Sequence, residues 1–161
     1  MINRKVLITG SFGVGKTSLF NRVIHNEFSE QYLTTIGVKV DKKNLEVDGQ
    51  QISLVLWDVA GEVSQQKVPK SYFLGASAVI YVFDLSRPAT CKNMYADIEI
   101  IQEILPGCLI KIVGNKKDLV DEDTLTAFNE KYQPNYYTSA KTGENVELLF
   151  KDIATKLIIS Q

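Results

Sequence analysis

The segment Gly10-Ser11-Phe12-Gly13-Val14-Gly15-Lys16-Thr17 fits GxxxxGK[ST] without a mismatch. It follows a short apolar run (residues 5–9) and opens a stretch with helical periodicity, Leu19, Phe20, Val23 and Ile24. That context ties the chain to a strand, a glycine-rich turn and a helix in immediate succession. Glycines let the backbone wrap closely and turn its N–H groups inward, and the following helix presents its positive end. The geometry implied is a phosphate cradle formed by Gly13, Val14, Gly15, Lys16, Thr17 and Ser18. Lys16 is expected to reach the β- and γ-phosphates, and the Thr17 hydroxyl is a hard-oxygen ligand suited to Mg²⁺.

The rest of the chain extends the same alternation. Residues 78–83 and 109–113 are continuous apolar runs rich in β-branched residues, as in strands buried on both faces of a parallel sheet. Val146, Leu149, Phe150, Ile153 and Leu157 give a second helical stripe. Two strand-like runs, 38–47 and 50–57, are separated only by Asp48-Gly49, a strong hairpin signal. The expected fold is α/β, doubly wound and mostly parallel, with one antiparallel strand and helices on both faces. With 161 residues and no linker-like or repetitive segment, one domain over 1–161 is expected.

Further motifs fall at the carboxyl ends of these strands, where such sheets bind ligands. Asn115-Lys116-Lys117-Asp118 follows the third apolar run. A carboxylate at Asp118 can accept from the N1–H and 2-amino group of guanine, two donors that adenine lacks. Asn115 is expected to tie this loop to the phosphate cradle, and the Lys116 stem to cover one face of the base. In Thr138-Ser139-Ala140-Lys141, Ser139 is expected in the base loop, the Ala140 N–H is expected to meet the guanine O6, and Lys141 is expected to pack over the sugar. Trp57-Asp58-Val59-Ala60-Gly61 supplies Asp58 as a Mg²⁺ ligand through water and the Gly61 N–H for the γ-phosphate. Thr35, in the polar stretch before the hairpin, is the third expected Mg²⁺ ligand and a second γ-phosphate contact. Such contacts exist only with the triphosphate, so its loss would release both loops.

Together these elements resemble the Ras superfamily of small GTPases over essentially the whole chain, with details closest to the Rab branch. Those details are Thr35-Ile36-Gly37-Val38, Trp57-Asp58-Val59-Ala60-Gly61, Ser71-Tyr72-Phe73-Leu74-Gly75-Ala76 and Thr138-Ser139-Ala140-Lys141-Thr142-Gly143-Glu144-Asn145-Val146. The resemblance implies a P-loop NTPase fold with a six-stranded mixed sheet and five helices, and Phe28 as the ring packed edge-on against guanine. It implies GTP and GDP as ligands, Mg²⁺ as cofactor, and effector and regulator proteins binding near 32–40 and 58–73. The implied reaction is slow GTP hydrolysis served by Lys16, Thr35, Gly61 and Glu62, in a switch for membrane traffic or signalling. The alternative is a nucleotide-binding scaffold with negligible hydrolysis.

Four departures bear on that choice. Glu62 stands where the family usually has a water-orienting glutamine. Phe12 replaces a small residue and is expected to crowd the γ-phosphate side and blunt arginine-finger activators. Residues 62–68 lack the family's usual aromatic and arginine, which alters the partner surface. No lipidation motif is present at either end, so either a tail has been removed or this member works without a lipid anchor. The segment between the Asn115 and Ser139 motifs looks short, which suggests a curtailed helix. No arginine is evident in cis.

Composition narrows the partners. The net charge of −1 offers no global field for nucleic acid, and no apolar run nears the roughly 20 residues of a membrane span. Cys91 and Cys108 have neither CxxC nor metal spacing and read as reduced thiols of a cytoplasmic monomer, with partners providing any recruitment to membranes. His25 closes the first helix with no partner motif for catalysis. Lys42 and Lys43 read as a solvated strand edge, and Tyr136 and Tyr137 as packing residues.

Overall fold

The computed structural model describes residues 1–29, 37–61 and 67–160. Six strands form one sheet: β1 (Ile2–Gly10), β2 (Val38–Val47), β3 (Gln50–Val59), β4 (Ala76–Asp84), β5 (Leu109–Asn115) and β6 (Tyr136–Tyr137). Their order is β2-β3-β1-β4-β5-β6. Only β2 runs antiparallel, paired with β3 in one unbroken register from Val47↔Gln50 to Val38↔Val59. Asp48 and Gly49 both take positive φ, 51° and 80°, so the hairpin turns in the sense that matches strand twist.

Alternation along the strands sorts side chains between two cores. Val6, Ile8, Ile52, Leu54, Leu56, Ile80 and Val82 face α1 (Lys16–His25) and α5 (Val146–Ile159). Leu7, Val59, Val79, Tyr81 and Phe83 face α2 (Lys70–Phe73), α3 (Met94–Ile104) and α4 (Glu122–Tyr132). Because successive residues of β1 and β4 are buried on opposite faces, those strands read as unbroken apolar runs. The stripe expected on α5 is buried throughout, as are Leu19, Phe20 and Val23 on α1.

Several strands outrun their apolar signal. β1 begins at Ile2 because Asn3 and Arg4 pair with Ser53 and Leu54 of β3, and β3 continues through Asp58 to Val59. α4 has eleven residues, as many as α3, with the Asp121 carboxylate capping the Thr124 N–H. No helix among the described residues is long and apolar enough to cross a membrane.

Candidate functional site

The carboxyl ends of β1, β3, β4 and β5 converge on the turn between β1 and α1. Gly15 takes φ 100° there, and a Cβ on it would lie 2.2 Å from Asn115 Nδ2. Only glycine leaves room for that side chain, which donates to the Val14 carbonyl at 3.1 Å. The expected tie between the Asn115 loop and the cradle is therefore a hydrogen bond in the structure. Asn115 is 1% exposed, and its Oδ1 accepts from Thr138 Oγ1 at 3.0 Å and the Ala140 N–H at 3.3 Å. One amide thus joins three loops.

Lys16 is buried with its Nζ 3.1 Å from the Gly10 carbonyl and 2.8 Å from that of Ser11. Burial lowers its pKa to about 8; Asp58 counteracts the shift and Arg87 adds to it. An ammonium in this setting gains strongly from an anionic ligand. Beside it, Thr17 Oγ1 donates to Asp58 Oδ2 at 2.7 Å, and both residues are buried. A hydroxyl and a carboxylate in contact at a helix start are hard oxygen donors, so this pair fits Mg²⁺. Gly61 lies against the same place: a Cβ on it would stand 2.5 Å from Phe12 Cα and 2.9 Å from Lys16 Nζ. The segment that follows β3 therefore comes into contact with the phosphate loop. Phe12 is 55% exposed, and its backbone packs on Gly61.

Where the base is expected, Ser139 Oγ donates to Asp118 Oδ1 at 2.8 Å and accepts from the Thr142 N–H, fixing the carboxylate on one oxygen. Lys116 Nζ reaches the Gly13 carbonyl at 2.9 Å, laying its stem between the base loop and the cradle. Phe28 lies partly exposed just beyond α1. The Ala140 N–H, expected to face a guanine O6, points to Asn115 Oδ1. Ser18 sits half-buried in the first turn of α1, and Lys141 is exposed. Thr35 and Glu62 lie outside the described residues.

Three residues that the motifs did not reveal support this arrangement. Arg22 on α1 donates to the carbonyls of Ala140 and Lys141, holding the base loop from below. Asp84, at the end of β4, is fully buried and accepts from Lys116 at 3.0 Å and Arg87 at 2.9 Å. Arg87 in turn donates to the Phe12 carbonyl at 3.1 Å. The sequence offers one signal for Asp84, a charged residue closing an otherwise apolar strand; nothing local marks Arg22 or Arg87.

Comparison with known proteins gives a consistent picture. The family model described as Ras family matches residues 5–159. The chain is 34% identical over 160 residues to Ras-related protein Rab-11A of Dictyostelium discoideum, covering 95% of this chain and 75% of that protein. It is 36% identical over 160 residues to Ras-related protein Rab-1A of the same organism, covering 95% and 79%. Ras-related protein RIC2 of Oryza sativa subsp. japonica is 33% identical over 160 residues, covering 95% and 74%.

Proposed function

This chain belongs to the Ras family of small GTPase switches, and we propose that it binds GTP and GDP and hydrolyses GTP slowly with Mg²⁺. The observation that carries the reading is the buried contact of Thr17 with Asp58 at 2.7 Å, beside Lys16 and Gly61 at the mouth of the phosphate loop. Thr17, Asp58 and Thr35 would hold Mg²⁺, which supplies charge neutralisation at the phosphate oxygens. Lys16 and the loop N–H groups stabilise charge on the transferring phosphoryl group. Water attacks in line with the leaving β-phosphate oxygen, with Glu62 and Thr35 positioning it. Asp118 selects guanine, Phe28 packs against it, and Ser139, Ala140, Lys116 and Lys141 close the base and sugar pocket.

Residues near 32–40 and 58–73 form the surface for effectors and regulators, as in a Rab-like switch of membrane traffic or signalling. We place the protein in the cytoplasm as a monomer that partners recruit to membranes. Competition against fluorescent GDP tests the nucleotide assignment: GTP and GDP displace it with Mg²⁺ present, ADP and ATP do not, and chelating Mg²⁺ speeds release. Displacement by ATP as effective as by GTP would refute it.

A further inference from the structure

We propose that Arg87 is a positioning residue for the phosphate loop, acting through the Phe12 carbonyl and anchored by the buried Asp84 carboxylate. The inference rests on the nucleotide reading of the loop given above. Asp84 carries its charge in full burial, which is tolerable only when its oxygens are filled. Oδ1 accepts from the Ser86 N–H at 2.8 Å and the Ser86 hydroxyl at 2.6 Å. Oδ2 accepts from Arg87 Nε at 2.9 Å and Lys116 Nζ at 3.0 Å. The two cations held on that single oxygen then grip consecutive carbonyls of the loop, Arg87 that of Phe12 and Lys116 that of Gly13.

The guanidinium is what makes the first link. Its Nε and Nη2 serve Asp84 and Phe12 at once, a planar fork that an ammonium on a lysine stem does not reproduce. Holding the Phe12 carbonyl sets the orientation of the peptide that follows it and of the backbone packed on Gly61. That segment sits against Lys16 Nζ, where the β- and γ-phosphates belong. Arg87 is half-exposed, bonds the phosphate-loop backbone directly and is linked to the Lys116 loop only through the Asp84 oxygen the two cations share, so its removal acts first on the phosphate side of the site.

The test compares GDP with GMP, which lacks the β-phosphate, by competition against fluorescent GDP on nucleotide-stripped protein with Mg²⁺. Arg87→Ala is expected to weaken GDP about tenfold and leave GMP within twofold, with Arg87→Lys restoring only part of the loss. A general loss of structure would move both ligands together. Equal effects on GDP and GMP, full rescue by lysine, or unchanged GDP affinity in Arg87→Ala would overturn the proposal. If the alanine variant does not fold, Arg87→Lys carries the same GDP-against-GMP comparison. Wild-type protein that binds GMP and GDP alike, or neither, would sink the nucleotide reading and this inference with it.

Discussion

Asn115→Ala is the perturbation whose size the structure specifies most fully. The side chain makes bonds of 3.1 Å to the Val14 carbonyl, 3.0 Å from Thr138 Oγ1 and 3.3 Å from the Ala140 N–H. A net intramolecular hydrogen bond contributes about 1 kcal/mol, and a buried partner left unmade costs about 1–3 kcal/mol. The first two bonds are well formed and both partners are buried, so the expected destabilisation is about 3 kcal/mol. For a domain of this size that corresponds to a fall in Tm of roughly 6–12 °C. The stability loss alone does not test the role, because any buried truncation would produce one. Leu157→Ala serves as the control: it lies near the far end of α5 and should cost a similar 2–5 kcal/mol without touching the loops. Urea unfolding gives the stability of each variant, and release of fluorescent GDP gives the functional effect. Asn115→Ala should release GDP at least tenfold faster, while Leu157→Ala releases it at the wild-type rate. Equal release from the two variants would refute the claim that Asn115 sets the spacing of the base and phosphate loops.

Three further outcomes follow from the same geometry. Asp118→Asn should move preference from GTP towards xanthosine triphosphate, measured by competition binding; unchanged preference would remove Asp118 from the base site. Gly61→Ala places a methyl 2.5 Å from Phe12 Cα and 2.9 Å from Lys16 Nζ, so the loop must shift. A displacement of that kind should slow single-turnover GTP hydrolysis about 100-fold, and an unchanged rate would show that the contact is not part of the reacting geometry. Burial pushes the Asp84 carboxyl up, but hydrogen bonds from Ser86, Arg87 and Lys116 bring it below its ordinary 3.8. A depressed carboxyl stabilises the fold above its unfolded pKa, and that contribution is lost as pH falls through the folded value. The stability gap between wild type and Asp84→Asn in urea should therefore be constant from pH 6 to 5 and narrow below about 4; a gap that widens there would reverse the assignment.

The motifs carried most of the topology because each is a local solution to a local problem. Asp48-Gly49 adopts the positive φ values that a tight hairpin demands, and the phosphate loop needs its glycines within eight residues. The doubly buried strands were legible from their unbroken apolar runs, and the α5 stripe from its period. The strand ends were less visible: Asn3 and Arg4 join β1 through backbone pairing that their polar side chains do not advertise. The supporting residues escaped for a different reason. Arg22 meets Ala140 and Lys141 from more than a hundred positions away, and Arg87 meets Phe12 across 75. A single arginine on a helix or in a turn has no sequence period of its own, so only the folded chain shows which carbonyls it reaches. Arg87 binds the backbone of the phosphate loop, a supporting contact distinct from an arginine supplied in cis for hydrolysis.

The most direct test of the account is single-turnover hydrolysis of preloaded GTP with Mg²⁺, followed by chromatography of the bound nucleotide. Slow conversion to GDP, on the order of the 10⁻⁴ per second of unaided Ras, is the predicted result. GTP that stays intact over many hours would instead describe a scaffold that holds its nucleotide without turning it over, and a chain that loads no guanine nucleotide would contradict the central claim.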